Sequence, residues 1–279
     1  MVYNAAVATV SGDVDISLIL PAFNEAQTIA RTIGEAVDYF TARNYKYEVI
    51  VAADGDDGTR ARAAEMARKD RAIIVIGESG RRGKGRGIRE GVALASGRLI
   101  GFADADNKVR IEEFGKLEPW LRAGYQVVIG SRGLRESLIE RRQPWYRRVG
   151  SRGFAVFLHS VVGLREVVDT QCGFKFFHRE AAFELFSRQR IDGYMFDVEI
   201  LALAVRLGYR IKEIPIRWRD DGDSRLELFR GNLRNAMDVF RIRFSLDRLA
   251  AASRGQGAAA AGQAGAVSIS RQSEVELKR

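Results

Sequence analysis

Between residues 16 and 103, four short apolar runs alternate with stretches of helical periodicity: ISLIL (Ile16 to Leu20), YEVIVA (Tyr47 to Ala52), AIIVI (Ala72 to Ile76) and LIGFA (Leu99 to Ala103). A run that is apolar almost throughout, rather than at every second position, is a strand buried on both faces. A helix between each pair of such strands lets them lie parallel. The chain therefore reads as α/β, with a mostly parallel central sheet flanked by helices. In the first helical stretch Ile29, Ile33, Val37 and Phe40 share a face, with Asn24 as the expected cap and Gln27 completing a capping box. Further helices are expected from about Arg60 to Lys69 and from Ile88 to Ala95, the latter stopped by Gly97.

In open parallel sheets, ligands bind outside the carboxyl ends of the strands. The segments after the four runs carry PAFNE, ADGDDG, GRRGKGRG and DADN, so the unusual chemistry converges on one edge. In the last of these, Asp104 and Asp106 stand at i and i+2 where an apolar strand stops. Two such carboxylates can turn toward one point, where their repulsion is costly unless a cation lies between them. Two histidines and one cysteine leave little material for zinc, so a metal here would be held by oxygen, which selects Mg2+ or Mn2+. The plainer reading is a pair of solvated loop aspartates.

The second half is less regular. A helix near Ile111 to Arg122 leads to the strand QVVIG, then to a run from Arg132 to Arg152 holding seven arginines against two acids. Next come an apolar helix (Phe154 to Val162), the segment VVDTQCGFKFF, a helix from Phe196 to Leu207, the strand IKEIPIRW and a basic helix, Leu228 to Phe244. The net charge of +9 points to an anionic partner: nucleic acid, anionic lipid or a phosphorylated substrate. A single cysteine, Cys172, excludes an internal disulfide and suits a reducing compartment. The first residues lack the pattern of a signal peptide, and no stretch reaches the roughly 18 apolar residues of a spanning helix. The expectation is a protein that is soluble or lies on a membrane surface.

Six blocks, in order from about Ile16 to Trp218, carry a family likeness: LPAFNEAQTI, ADGDDGT, GKGRGIREGVALASGRLIGFADAD, VIGSR, DTQCGFKFF and FDVEILALAVRLGYRIKEIPIRW. Together they resemble the family 2 glycosyltransferases, within them the dolichyl-phosphate sugar synthases, most closely the glucosyltransferase type. The resemblance implies a nucleotide-diphospho-sugar transferase fold of the glycosyltransferase A type (GT-A) and an inverting transfer. It also implies one catalytic domain over residues 15–245; before it lies a polar lead (1–14), and from about Ser253 the composition, RGQGAAAAGQAGAVSIS, reads as a low-complexity, disordered tail (253–279). It implies that Pro21, Phe23 and Glu25 line the nucleotide pocket, that Asp54 contacts the base, and that Asp104 and Asp106 hold the sugar and the metal-diphosphate. Lys84, in its glycine-rich loop, can reach a phosphate where Gly83, Gly85 and Gly87 let backbone come close. Arg132 and Arg147 are the candidates for holding a lipid phosphate. The implied donor is UDP-glucose, with GDP-mannose as the alternative. The implied acceptor is a polyprenyl phosphate at the cytoplasmic face of a membrane, with the enzyme peripheral on its surface.

The likeness has departures. Family members usually show DDGSxDGT where this chain has the shorter ADGDDGT. Some relatives use a glutamine two residues past the second aspartate to bind metal; here that position is Lys108, and Asn107 could supply an oxygen instead. Most eukaryotic relatives of the glucosyl type also carry an N-terminal membrane helix, which this sequence does not show.

The acceptor decides what else the site needs. A hydroxyl must lose a proton to a general base. A phosphate monoester, with a second pKa of about 6, is largely dianionic at neutral pH and needs only positioning, a task suited to arginine. Asp106 and Asp169 are the candidate catalytic acids. For a hydroxyl acceptor one of Asp169, Asp197 and Glu199 is the base; for a phosphate, Asp169 shapes the acceptor pocket with Gln171 and Lys175. Cys172 reads as structural. Three rival classes share some of these features. A transferase with a soluble or glycan hydroxyl acceptor keeps the fold. A sugar nucleotidyltransferase would show a GxGTRL loop after the first strand, and PAFNEAQT is not one. Nucleic-acid binding is suggested by the pI alone and is not expected.

Overall fold

The computed structural model describes residues 14–140, 158, 160–164, 166–219, 235 and 237–246. The lead and tail assignments, Arg147 and most of the arginine run fall outside them, as do most of the helix placed at Phe154 to Val162 and the first half of that placed at Leu228 to Phe244.

The four apolar runs form β1 (Ile16–Phe23), β2 (Tyr47–Asp54), β3 (Ile73–Ile76) and β4 (Leu99–Ala103). Between them lie α1 (Ile29–Ala42), α2 (Thr59–Lys69) and α3 (Lys84–Leu94). A short 3-10 turn (Ile111–Glu113) leads into α4 (Phe114–Arg122), followed by β5 (Val127–Ser131) and β6 (Leu138–Ile139). Then come β7 (Phe174–His178), α5 (Arg179–Arg188), α6 (Phe196–Arg206), β8 (Ile211–Pro215) and β9 (Arg217–Trp218). The main sheet has seven strands in the order β3-β2-β1-β4-β7-β5-β8, and β6 pairs with β9 in a small second sheet.

The sheet is covered on both faces, as continuous apolar strands require. Ile19, Ile50 and Phe102 pack under α3, α5 and α6 with Ile88, Val92, Leu185, Phe196 and Ile200. On the other face Leu18, Val49, Val51 and Phe176 meet Ile33, Phe40, Ala63, Phe114 and Leu117 from α1, α2 and α4. Side chains such as Phe40, Phe102 and Phe114, all under 2% exposed, contribute about 2–3 kcal/mol each by leaving water.

Four details differ from the sequence reading. β1 continues through Pro21 to Phe23 because β2 stays beside it to Asp54, while β4 has already left after pairing Ile19 with Phe102. Helix α1 starts at Ile29, not after Asn24: Asn24 takes a left-handed turn (φ 56°), and the N-cap, Thr28, makes no side-chain cap bond. Helix α3 begins at Lys84, so that lysine opens a helix rather than riding a loop. The expected strand IKEIPIRW divides after Pro215, and β9 departs to β6.

Strand β7 has the largest consequence for the site. It runs antiparallel to both neighbours and pairs Phe174 with Ala103. The start of β7 is thereby laid against the end of β4, and the Asp104 N–H continues the ladder to the Gly173 carbonyl at 3.1 Å.

Candidate active site

At the β1 and β2 ends, two loops lock together through their polar side chains. The backbone N–H of Glu25 donates to Thr59 Oγ1 at 2.8 Å, and that of Ala26 to Asp57 Oδ2 at 3.0 Å. The Glu25 carboxylate accepts from Thr28 Oγ1 at 3.0 Å. Pro21 and Phe23 are half-buried here, with the Arg81 guanidinium 4.7 Å from the centre of the Phe23 ring. Asp54 faces the loop after β3: it accepts from the backbone of Glu78 and of Arg82 and from the Arg82 side chain, at 3.3, 2.9 and 3.3 Å.

The β4 end carries the carboxylate pair, and each member already holds a lysine. Lys84 Nζ lies 2.5 Å from Asp104 Oδ1, and Lys108 Nζ lies 3.1 Å from Asp106 Oδ2. The Lys108 N–H also donates to Asp106 Oδ1 at 3.2 Å. Burial, and then the charge of Asp104, push the Asp106 carboxyl up, with Lys108 opposing. Burial alone would lower the Lys84 ammonium, yet Asp104, Asp197 and Asp106 outweigh it and raise its pKa. Asn107 turns left-handed (φ 59°) and gives its side-chain amide to Glu35 on α1 at 2.8 Å, so this side chain is committed to the helix.

The segment from Asp169 to Lys175 ties this edge to the other half of the sheet. Asp169 takes the Nε and Nη2 of Arg132 at 2.7 and 2.8 Å, and the Arg132 N–H at 2.9 Å. Burial favours the neutral acid, but this fork and its charge hold the Asp169 carboxyl below the ordinary value. Gly173 abuts Asp104, and a Cβ there would sit 2.1 Å from Asp104 Oδ2. Lys175 is fully buried, with Nζ 2.5 Å from both Asp197 Oδ1 and the Cys172 carbonyl, so it props the site from beneath rather than lining an acceptor pocket. Burial raises Asp197, against the pull of Lys175 and Lys84. Glu199 is committed to the backbone N–H groups of Arg190 and Ile191 at 2.9 to 3.1 Å. Burial pushes the Cys172 thiol up to about 12, which keeps it protonated and inert. Sequence reasoning missed the bond of Lys108 to Asp106 and of Lys175 to Asp197; a cation two residues after the acid was the available signal for the first, while the second joins residues of separate blocks and had none.

The profile of Glycosyl transferase family 2 matches residues 17–186. The chain belongs to this family. As a family 2 glycosyltransferase it is 34% identical over 248 residues to the dolichyl-phosphate beta-glucosyltransferase of Drosophila melanogaster, covering 83% of this chain and 75% of that one. It is 32% identical over 248 residues to the Homo sapiens protein of the same name, covering 82% and 74%. Among solved structures, glucosyl-3-phosphoglycerate synthase of Mycobacterium tuberculosis, crystallised with Mn2+, UDP-glucose and phosphoglyceric acid, aligns with a TM-score of 0.62 at 22% identity over 82% of this chain and 79% of that one. That likeness shows a shared fold of the GT-A kind.

Among the described residues of this glycosyltransferase, no group of three or more His, Cys, Asp or Glu side chains gathers to hold a metal unaided. The pair of hard carboxylates, Asp104 and Asp106, suits Mg2+ or Mn2+ with substrate phosphate and water completing the shell. No helix among the described residues is long and apolar enough to cross a membrane.

Proposed function

We propose that this glycosyltransferase moves glucose, with inversion, from UDP-glucose to a polyprenyl phosphate of the dolichyl type. The observation that carries the reading is the state of the three acids a hydroxyl acceptor would call on. Asp169 is held as an anion by Arg132, Asp197 is buried on Lys175, and Glu199 caps backbone. A phosphate monoester asks for no base, only for a cation to place it. Arg132 spends its Nε and Nη2 on Asp169, which fixes the guanidinium plane and leaves Nη1 for a phosphate oxygen. Asp169 is then a positioning residue, and Arg147 is assigned to the same phosphate from the family likeness. The names of the relatives, which match over four-fifths of the chain, support the same acceptor and sugar.

On the donor side Pro21, Phe23, Glu25 and Asp54 shape the nucleotide pocket, Lys84 meets the diphosphate, and Asp104 and Asp106 hold Mg2+ or Mn2+. The bound metal would neutralise charge on the departing diphosphate. Lys175 and Asp197 keep Lys84 and Asp104 in place from below. The exposed apolar residues Leu138, Ile139 and Val168 border the Arg132 loop and suit a lipid surface, which supports an enzyme peripheral on a membrane; the cytoplasmic face is assigned from the family likeness.

The test is to incubate the purified protein and Mn2+ with labelled UDP-glucose, and separately with GDP-mannose, with and without polyprenyl phosphate, and to count label in the organic phase. Lipid-dependent label from UDP-glucose is expected. Donor hydrolysis that polyprenyl phosphate does not redirect would overturn the acceptor assignment.

A further inference from the structure

The two carboxylates at the end of β4 each carry a resident cation. Lys84 and Lys108 are largely sheltered, their side chains 16% and 15% exposed, and each contacts a separate aspartate. Any divalent ion approaching Asp104 or Asp106 meets an ammonium already at hydrogen-bond distance, and must displace it or share the carboxylate against its charge. A nucleotide sugar changes that balance, because its diphosphate is a second anion for which both ammonium groups can leave.

Lys108 also has somewhere to go. It stands on the wall of a cavity of about 240 Å³ whose other lining residues are Arg110, Glu112, Glu113, Arg217 and Arg219. Glu113 in that cavity is engaged by Lys116 at 2.6 Å, whereas Glu112 makes no ion pair among the described residues. The cavity gives the Lys108 side chain both space and an alternative carboxylate.

We propose that Lys84 and Lys108 are internal counter-ions that keep a divalent cation off the Asp104 and Asp106 pair until the donor's diphosphate draws them away, so that metal and donor load together. This rests on the reading that these aspartates are the metal ligands, and it assigns Lys108 a role in the order of loading. Linkage makes the effect reciprocal: whatever factor UDP adds to metal affinity, metal adds to UDP affinity.

The experiment is Mn2+ binding to the full chain, followed by the electron paramagnetic resonance signal of free Mn2+, with and without UDP and corrected for Mn2+ bound by UDP in solution. For the unaltered protein, Mn2+ alone should bind weakly and UDP should tighten it by about tenfold or more. Lys108→Gln and Lys108→Met should bind Mn2+ without UDP about tenfold more tightly than the parent, with a correspondingly smaller gain on adding UDP. Equal Mn2+ affinity in parent and variants without UDP overturns the lysine role while leaving the metal site standing. Mn2+ binding that appears in the variants but never in the parent, even with UDP, shows permanent exclusion and overturns ordered loading. Failure of every form to bind Mn2+ with UDP present overturns both the loading scheme and the metal assignment. Lipid labelling in the previous assay is scored separately, so the acceptor reading stands or falls independently.

Discussion

The two halves of the sheet use ion pairs in opposite ways. At the ends of β1 to β4 the acids of the site are reachable, with the Asp104 and Asp106 side chains 40% and 32% exposed and their lysine partners held at single contacts. Around β5, β7 and β8 the acids are sealed, with Asp169 at 10% exposure and Asp197 at 3%, the first in a two-point fork and the second on a lysine at 0%. Partly exposed pairs with one side-chain contact exchange partners more readily than buried, multiply bonded pairs. On the function proposed above, the first half suits charges that change hands as the donor binds, and the other half suits a fixed frame against which an acceptor is aligned.

The largest effect expected from breaking this contrast is on the exchangeable side. Asp106→Ala should lower glucosyl transfer by at least about 10³-fold, or ~4 kcal/mol of transition-state stabilisation, while the urea midpoint stays close to that of the parent. Rates near those of the parent would remove Asp106 from the chemistry. In the frame, the same kind of truncation should act on stability instead. Lys175→Met leaves Asp197 buried without its cation and should cost about 3–5 kcal/mol in urea unfolding. The double variant Lys175→Met, Asp197→Leu should recover most of that loss, because two apolar groups leave no orphaned charge. If the single variant unfolds at the same urea concentration as the parent, the pair is not a structural unit.

A smaller and more selective effect is expected at the fork. Asp169→Asn should raise the KM for polyprenyl phosphate by about 30-fold, ~2 kcal/mol, with less change in kcat, since it loosens Arg132 without removing it. The pH dependence sharpens the assignment. Asp169 has a lowered folded-state pKa, so its contribution is complete above the ordinary aspartate value of about 3.9 and is lost only as pH falls through the lower folded one. Between pH 6 and 8 the rate profile of Asp169→Asn should keep the shape of the parent's. The disappearance of an acid limb in that window would mark Asp169 as a general base and favour a hydroxyl acceptor.

The same contrast governs what could be read from the sequence. The β1 to β4 half was legible because each strand there is one apolar run with a helix behind it, and its chemistry sits at the end of the strand or in the few residues between it and the helix. Pro21, Asp54, Lys84 and Asp104 are brought to one edge by that rule alone. The β7 half was not, because FKFFH follows no such cycle: the strand is antiparallel, enters between β4 and β5 from a distant part of the chain, and hides a charged Lys175 among phenylalanines. Periodicity reports burial of side chains, not which strand becomes a neighbour, so neither the Gly173 contact with Asp104 nor the Lys175 contact with Asp197 has a local signature. The start of α1 has no local signature for a related reason. Asn24 has the composition of a cap, but the loop is held instead by Asp57 and Thr59, more than thirty residues away in sequence.

Gly173 is where the two halves touch, and it permits the mildest test of their independence. Its carbonyl takes the Asp104 N–H, and a methyl group at its Cα would lie within 2.5 Å of both Asp104 carboxylate oxygens. Gly173→Ala therefore cannot be accommodated with Asp104 where it stands. The carboxylate is the short, movable party, and it is 40% exposed, so it should rotate toward solvent and away from Lys84 rather than strain the β4–β7 ladder. The expected result is a thermal midpoint within a degree or two of the parent's, given the small free-energy change, together with a KM for UDP-glucose raised about tenfold, ~1.4 kcal/mol. Acceptor KM should not change, because the Asp169 fork lies on the sealed side of the segment. A variant that instead loses stability and keeps its donor KM would show the contact to be packing, and would make the end of β4 part of the rigid frame rather than of the exchangeable half.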